Sequence, residues 1–258
     1  MLARLITIAE ASAARMADFF KAEKEVSYKG EIDLVTQYDV AIEKELIAAL
    51  TAAFPDFRVI GEESSDKEIG LQPGKVIYVD PIDGTTNFVH RFPFTCISIG
   101  VYIDREPYCG VVCAPILGET FSAMKGQGAF LNGKRIKVSN TDKAIRSLVA
   151  TGFPYDRAVR QAVMPTFAKI IDCAQGVRRA GSAALDLCYV ANGVFDLYYE
   201  SSLRPWDMSA GIIIVQEAGG IVTDTRGKAH DLSTRFLVAS NGLVHDEFLA
   251  ILSAVDKI

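Results

Sequence analysis

The sequence predicts a mixed fold, an α+β first half followed by an α/β second half. Three observations carry this. A helix-spaced apolar series opens the chain. Short β-branched and aromatic runs then follow one another across glycine turns, as in an antiparallel meander. Beyond Ser139–Asn140–Thr141–Asp142, strand-like and helix-like stretches alternate. That turn segment is taken as the boundary between a domain of residues 1–140 and one of residues 141–258. The 258 residues, half of them hydrophobic, suffice for two modest domains with a real core.

In residues 2–24, Leu2, Leu5, Ile6, Ala9, Ala13, Met16, Phe19 and Phe20 recur at helical spacing, which predicts an amphipathic helix. Lys29 to Asp33 reads as a mobile polar loop. Asp39 precedes a second amphipathic stretch, Val40 to Ile47, and is its N-cap candidate; Glu43 suits the chemistry of a helix start. Arg58–Val59–Ile60 is a short strand closed by Gly61–Glu62–Glu63–Ser64, and Ser65 to Lys75 is a surface loop. Val76 to Val79 reads as a buried strand with Asp80 at its carboxyl end, because Pro81 cannot continue the ladder. Asp83 is expected to cap a helix whose first N–H groups belong to Gly84, Thr85 and Thr86. Phe92–Val101, Pro107–Ala114, Glu119–Met124 and Ala129–Leu131 form the meander, with Asn132–Gly133 as a type I′ hairpin turn. In the second half, strands are expected at 147–151, 177–179, 194–199, 221–223 and 236–240. Helices are expected at 160–174, 183–191, 206–217 and from Val244 onward.

Composition narrows the function. The net charge is −5 and no lysine/arginine block is present, so nucleic acid is disfavoured as the main ligand. No apolar run reaches membrane-span length, and Glu10, Arg15 and Asp18 interrupt any signal-peptide core. The five cysteines contain no Cys-x-x-Cys pair and read as reduced, mostly buried thiols of a cytoplasmic protein. Zinc held by Cys109 and Cys113 lacks histidines nearby. The three histidines (His90, His230, His245) read as surface or packing residues.

The stretch Asp80–Pro81–Ile82–Asp83–Gly84–Thr85–Thr86–Asn87–Phe88 carries the chemistry. Carboxylates suit a hard divalent cation, and exposed backbone N–H groups suit a phosphate. Together they point to a metal-bridged phosphate site. Two further pieces, Gly61–Glu62–Glu63–Ser64 and Trp206–Asp207–Met208–Ser209–Ala210–Gly211, also place acids at a strand end or helix start.

With these three pieces the chain resembles the inositol monophosphatase family of Mg²⁺-dependent, lithium-sensitive phosphomonoesterases. The likeness extends to Asp33–Leu34–Val35–Thr36, Gly152–Phe153–Pro154–Tyr155 and Arg179–Ala180–Gly181–Ser182–Ala183–Ala184. It implies a layered αβαβα sandwich, a homodimer and two to three Mg²⁺ ions. The implied metal ligands are Glu62, Asp80, the Ile82 carbonyl, Asp83 and Asp207. Gly84 and Thr85 match the phosphate-binding amides. Thr85 and Glu62 match the groups that orient and deprotonate the attacking water, with Asp39 supporting Thr85. Glu200 matches the acid that reads substrate hydroxyls, beside Asp83 and Asp207, while Gly181, Ser182 and Ala183 match the loop along the substrate ring. The family often carries threonine where Ser182 stands.

The physics agrees. A general base alone supplies roughly 10²–10⁴ of rate, whereas enzymatic phosphomonoester hydrolysis approaches a factor of about 10²¹. The balance falls to charge stabilisation, and the expected mechanism is direct in-line attack by metal-activated water without a phosphoenzyme. Inositol monophosphate is the first substrate choice, as a small phosphorylated polyol. A fructose-1,6-bisphosphatase or dual-substrate sugar phosphatase is the alternative, with Arg157, Arg160, Arg178, Arg179 and Arg204 as candidates for a second-phosphate cluster on folding. A regulatory binding protein built on the same fold is the alternative of another class.

Overall fold

A computed structural model describes residues 1–22, 26–28, 34–65 and 70–252. The expected loop Lys29–Asp33, residues 66–69 of the expected surface loop and residues 253–258 lie outside them. In chain order the elements are α1 (Leu2–Lys21), β1 (Val26–Tyr28), β2 (Leu34–Thr36), α2 (Gln37–Ala53), β3 (Arg58–Gly61), β4 (Lys75–Asp83), α3 (Thr85–His90), β5 (Cys96–Ile103), β6 (Glu106–Ala114), β7 (Glu119–Met124), β8 (Gly128–Leu131) and β9 (Lys134–Ile136). The second half adds β10 (Leu148–Thr151), α4 (Arg157–Cys173), β11 (Gly176–Arg178), α5 (Ala183–Ala191), β12 (Leu197–Glu200), α6 (Pro205–Glu217), β13 (Ile221–Thr223), β14 (Leu237–Ser240) and α7 (His245–Leu252).

The strands form a seven-stranded sheet in the order β3-β4-β5-β6-β7-β8-β9 and a five-stranded sheet in the order β11-β10-β12-β14-β13. The period-2 alternation of strand side chains sorts the core into three layers. Ile77, Val79, Ile97, Ile99 and Val111 pack against α1 and α2, where Leu5, Met16, Ile42 and Leu46 are buried. Their neighbours Val76, Tyr78 and Val112 face the other way, onto α5 and α6. Those two helices also receive Ala150, Tyr198 and Ala239 from the five-stranded sheet. On that sheet's outer face Val149, Leu197 and Val238 meet Ile170 of α4 and Phe248 of α7. The succession is helix, sheet, helix, sheet, helix, the expected αβαβα sandwich.

α6 is buried almost all round because it is clamped between both sheets. Gly100 and Gly110, directly paired across β5 and β6, make the notch it occupies. A Cβ on Gly100 would stand 2.2 Å from Ser209 Oγ, and one on Gly110 2.7 Å from the Ala210 carbonyl oxygen. This notch sets the height of Asp207, the third residue of α6.

Several expectations change in detail. β4 runs through Pro81 to Asp83, with the ladder broken between Asp80 and Asp83 and resumed at Asp83↔Cys96. The proline interrupts the register and does not end the strand, because its missing N–H falls in the irregularity. Asp83 is therefore the strand's last residue and not a helix cap; Gly84, at φ 85°, is the N-cap of α3. Likewise Thr36 caps α2, and Asp39 is the N3 acid of a capping box, accepting from the Thr36 amide at 2.8 Å. Glu43 is buried at 3 % exposure, where its chemistry is that of an internal acceptor. The antiparallel pair β1–β2 had no counterpart in the sequence reading. The five-stranded sheet is mixed, parallel at β11-β10-β12 and antiparallel at β12-β14-β13. Asn132 (φ 48°) and Gly133 (φ 76°) form the expected two-residue turn between β8 and β9.

Candidate active site

A cavity of about 440 Å³ opens where the carboxyl end of β4 meets the amino ends of α5 and α6. Glu62, Asp80, Asp83, Glu200 and Asp207 all reach its wall, as do Ile82, Gly84, Thr85, Gly181 and Ala183. Acids far apart in sequence are thus brought together by strand ends and helix starts.

Asp80 is 2 % exposed, and its Oδ1 accepts from the Ile82 amide at 3.0 Å. Burial, followed by the negative charges of Glu62, Asp83, Asp207 and Asp39, pushes its carboxyl well above the usual carboxylate range. Asp83 Oδ2 accepts from Ser182 Oγ at 2.6 Å and from the Ala184 amide at 2.7 Å. Its pKa is raised by burial, and these bonds oppose the rise. Asp207 Oδ2 accepts from the Arg204 amide at 2.7 Å; burial and then the charges of Glu62 and Asp83 raise its carboxyl strongly. Glu62 follows β3, and its amide donates to the Val79 carbonyl at 3.1 Å, extending the parallel β3–β4 pairing by one bond.

Gly84 sits in a crowded left-handed turn. A Cβ there would lie 3.1 Å from the carbonyl oxygens of both Gly181 and Phe94, so glycine answers both the φ and the space. The Thr85 hydroxyl lies 3.2 Å from Asp39 Oδ1 and 3.1 Å from the Ile82 carbonyl oxygen. Its single proton is committed to those acceptors, which leaves an oxygen lone pair for another donor. Asp39 itself is 1 % exposed and meets the cavity through Thr85. Glu200, at the end of β12, accepts from Tyr198 Oη at 2.6 Å, and burial raises its carboxyl to about 7.

Ser182 differs from its neighbours. At 1 % exposure it turns its hydroxyl to Asp83 and caps α5 through the Leu185 amide at 3.4 Å. Of the five arginines considered for a second-phosphate cluster, Arg179 and Arg204 reach the cavity wall, joined by Arg235. In the sequence Asn87 stands out only as part of a motif. Its Nδ2 donates to the Phe94 carbonyl at 2.7 Å and to the Ala180 carbonyl at 2.8 Å, stapling the α3 turn to the loop before α5. Its place inside the Thr-Thr-Asn-Phe string was the available signal. His230 and His245 are packing residues: the His245 ring nitrogens meet Ser240 Oγ at 2.8 Å and Thr223 Oγ1 at 2.9 Å. All five cysteines are free thiols, four of them buried.

The donor set is carboxylate and carbonyl oxygen throughout, which matches a hard cation such as Mg²⁺ and not zinc. Among the described residues no three acidic, histidine or cysteine side chains stand at coordination spacing. The carboxylates share one wall without forming a closed cage. Burial first, and then their mutual repulsion, raises Asp80 and Asp207 together, and a divalent cation relieves that condition. The residues fit the metal.

A layered αβαβα enzyme with an acid-lined cavity beside a glycine-threonine turn defines a phosphomonoesterase. The chain belongs to the inositol monophosphatase family, whose model matches residues 1–257. "Inositol monophosphatase 2" of Solanum lycopersicum is 44 % identical over 241 residues, covering 91 % of both chains. The extragenic suppressor protein suhB of Bartonella henselae superposes with a TM-score of 0.90 at 35 % identity, over 96 % of both chains. SaIMPase-II, solved with inositol monophosphate bound, gives a TM-score of 0.84 at 26 % identity, over 99 % of this chain and 94 % of that one.

Proposed function

We propose that this chain hydrolyses inositol monophosphate to inositol and inorganic phosphate with Mg²⁺ as cofactor. The observation that carries the proposal is the convergence of Glu62, Asp80, Asp83 and Asp207 on one cavity wall beside Gly84 and Thr85. Inositol monophosphate bound in the similar SaIMPase-II supports the choice of polyol.

Glu62, Asp80, the Ile82 carbonyl, Asp83 and Asp207 would hold two to three Mg²⁺ ions. Bound magnesium supplies positive charge that acidifies water and stabilises phosphoryl and leaving-group oxygens. Thr85, its own proton committed to Asp39 and Ile82, accepts a hydrogen bond from the attacking water. Glu62 takes the water proton. The Gly84 and Thr85 amides hold the phosphate in line with that attack. The bond from phosphorus to the polyol oxygen breaks with inversion at phosphorus, and the leaving alkoxide would take its proton from a solvent water, while Glu62 returns its own proton to solvent. Glu200 accepts from ring hydroxyls, Gly181 and Ala183 border the ring, and Ser182 fixes Asp83. The division is residues 1–140, with most metal ligands, and residues 141–258, with Asp207 and the substrate loop. The same reading makes the protein a cytoplasmic homodimer inhibited by lithium.

Phosphate release from inositol 1-phosphate and fructose-1,6-bisphosphate, each with Mg²⁺ and with chelator, tests the proposal. Mg²⁺-dependent release with a strong preference for inositol 1-phosphate is expected. No release from inositol 1-phosphate by folded, metal-saturated protein overturns it.

A further inference from the structure

We propose that Glu43 is a positioning residue for Glu62, and that α2 is the common rail on which Glu62 and Thr85 are aligned. The inference rests on the reading of Glu62 as a metal- and water-facing acid. Asp39 and Glu43 are one helical turn apart on α2, both buried, at 1 % and 3 % exposure. Asp39 meets the Thr85 hydroxyl at 3.2 Å. Glu43 Oε2 accepts from the Glu63 amide at 2.6 Å.

The backbone on both sides of Glu62 is therefore fixed. Its own amide is tied to Val79 of β4 at 3.1 Å, and the next amide is tied to Glu43. With both peptide planes held, the Cα–Cβ direction of Glu62 is set, and its side chain lines the cavity. Gly61 completes the fit: a Cβ there would stand 2.4 Å from Glu43 Cδ, so the strand end can lie on the carboxylate only as glycine. A carboxylate accepting a backbone N–H makes one of the stronger hydrogen bonds. One rigid helix thus sets the spacing between the hydroxyl and the carboxylate that act on the same water. Outer partners of metal ligands typically contribute about 10–100-fold to metal affinity or activity.

The test is calorimetric Mg²⁺ titration of the folded chain, with kcat and KM measured in parallel, in five forms. These are wild type, Glu43→Asp, Glu43→Gln, Glu62→Gln and the double variant Glu43→Asp/Glu62→Gln. Glu43→Asp keeps the charge but withdraws the acceptor from the Glu63 amide. It should weaken Mg²⁺ binding by about tenfold or more and lower kcat with KM little changed. Glu43→Gln, which keeps an acceptor oxygen at full reach, should recover most of the loss. The double variant should bind Mg²⁺ no worse than Glu62→Gln alone, because Glu43 acts through Glu62. Wild-type Mg²⁺ affinity in Glu43→Asp, or losses that add in the double variant, overturns the proposal. Unchanged Mg²⁺ binding in Glu62→Gln would instead refute the metal reading of Glu62. Should Glu43→Asp fail to fold, hydrogen exchange at the Glu63 amide of the wild type decides: protection is expected, and exchange at the rate of an open loop overturns the proposal.

Discussion

At the scale of single residues, Asp83 and Glu200 show how burial and chemistry meet. Asp83 has one oxygen occupied by Ser182 and Ala184, so its second oxygen is the one that serves the cavity. Asp83→Asn keeps the size but removes the charge, and kcat should fall by about 10²–10³ or more. Phosphate release at saturating Mg²⁺ checks this, with circular dichroism to confirm the fold. Glu200, raised to about 7 by burial, is protonated below that value and then accepts fewer hydrogen bonds. The kcat/KM profile for inositol 1-phosphate should therefore lose activity as pH falls through about 7, and Glu200→Gln should remove that limb. Most of these residues were legible as acids in one motif or another. The inward turn of Ser182 was not, because an N-cap serine reads the same whether its hydroxyl faces a ligand or a neighbouring carboxylate.

At the scale of elements, α6 and its glycine notch are decisive. Gly100→Ala places a methyl group 2.2 Å from Ser209 Oγ and 2.7 Å from the Ala210 amide, so α6 must lift off the sheet. The expected cost is about 1–3 kcal/mol, read from the midpoint of urea unfolding. A weakened Mg²⁺ titration should accompany it, because Asp207 rides on the helix. Helix periods revealed α5 and α6 nearly to the residue, and located α2 but not its start, which lies at Gln37, ahead of Asp39. Strand periods could not reveal the continuation of β4 through Pro81, where the irregular register excuses the missing N–H. Nor could they reveal the pair β1–β2, with three residues in each strand. The burial of Glu43 was hidden for a related reason: an acid in the early turns of a helix ordinarily faces water, and only the approach of Gly61 shows otherwise.

At the scale of the whole molecule, the acid cluster links folding to protons and metal. Asp80 and Asp207 carry raised pKa values in the folded chain, with burial as the first cause. The metal-free folded state therefore retains protons that the unfolded state has released. Stability falls as pH rises from the unfolded carboxylate range, about 4, through the raised folded values. His230, pushed down to about 4 by burial, works in the opposite sense, its contribution being lost as pH falls below the ordinary histidine range. In chelator, the melting temperature should decline toward neutral pH, less steeply in Asp80→Asn, and Mg²⁺ added at neutral pH should restore it. A series of melts at stepped pH checks all three arms. The α+β and α/β halves were readable from strand spacing and alternation. Their joining into one sandwich rests on α6 packing against both sheets, a contact that no local pattern encodes.

The staple made by Asn87, which reaches Ala180 from the α3 turn, has a consequence for biosynthesis. A ribosome adding roughly 5–20 residues per second delivers Asp80 and Asp83 several seconds or more before Asp207. Until the loop before α5 is made, Asn87 has no Ala180 carbonyl to meet and Asp83 has no Ser182 or Ala184; until α6 is made, the cavity has no far wall. Under the proposed function, a chain that ends before α6 should therefore release no phosphate from inositol 1-phosphate. Phosphate release would then report that synthesis has passed α6, where Asp207 rides.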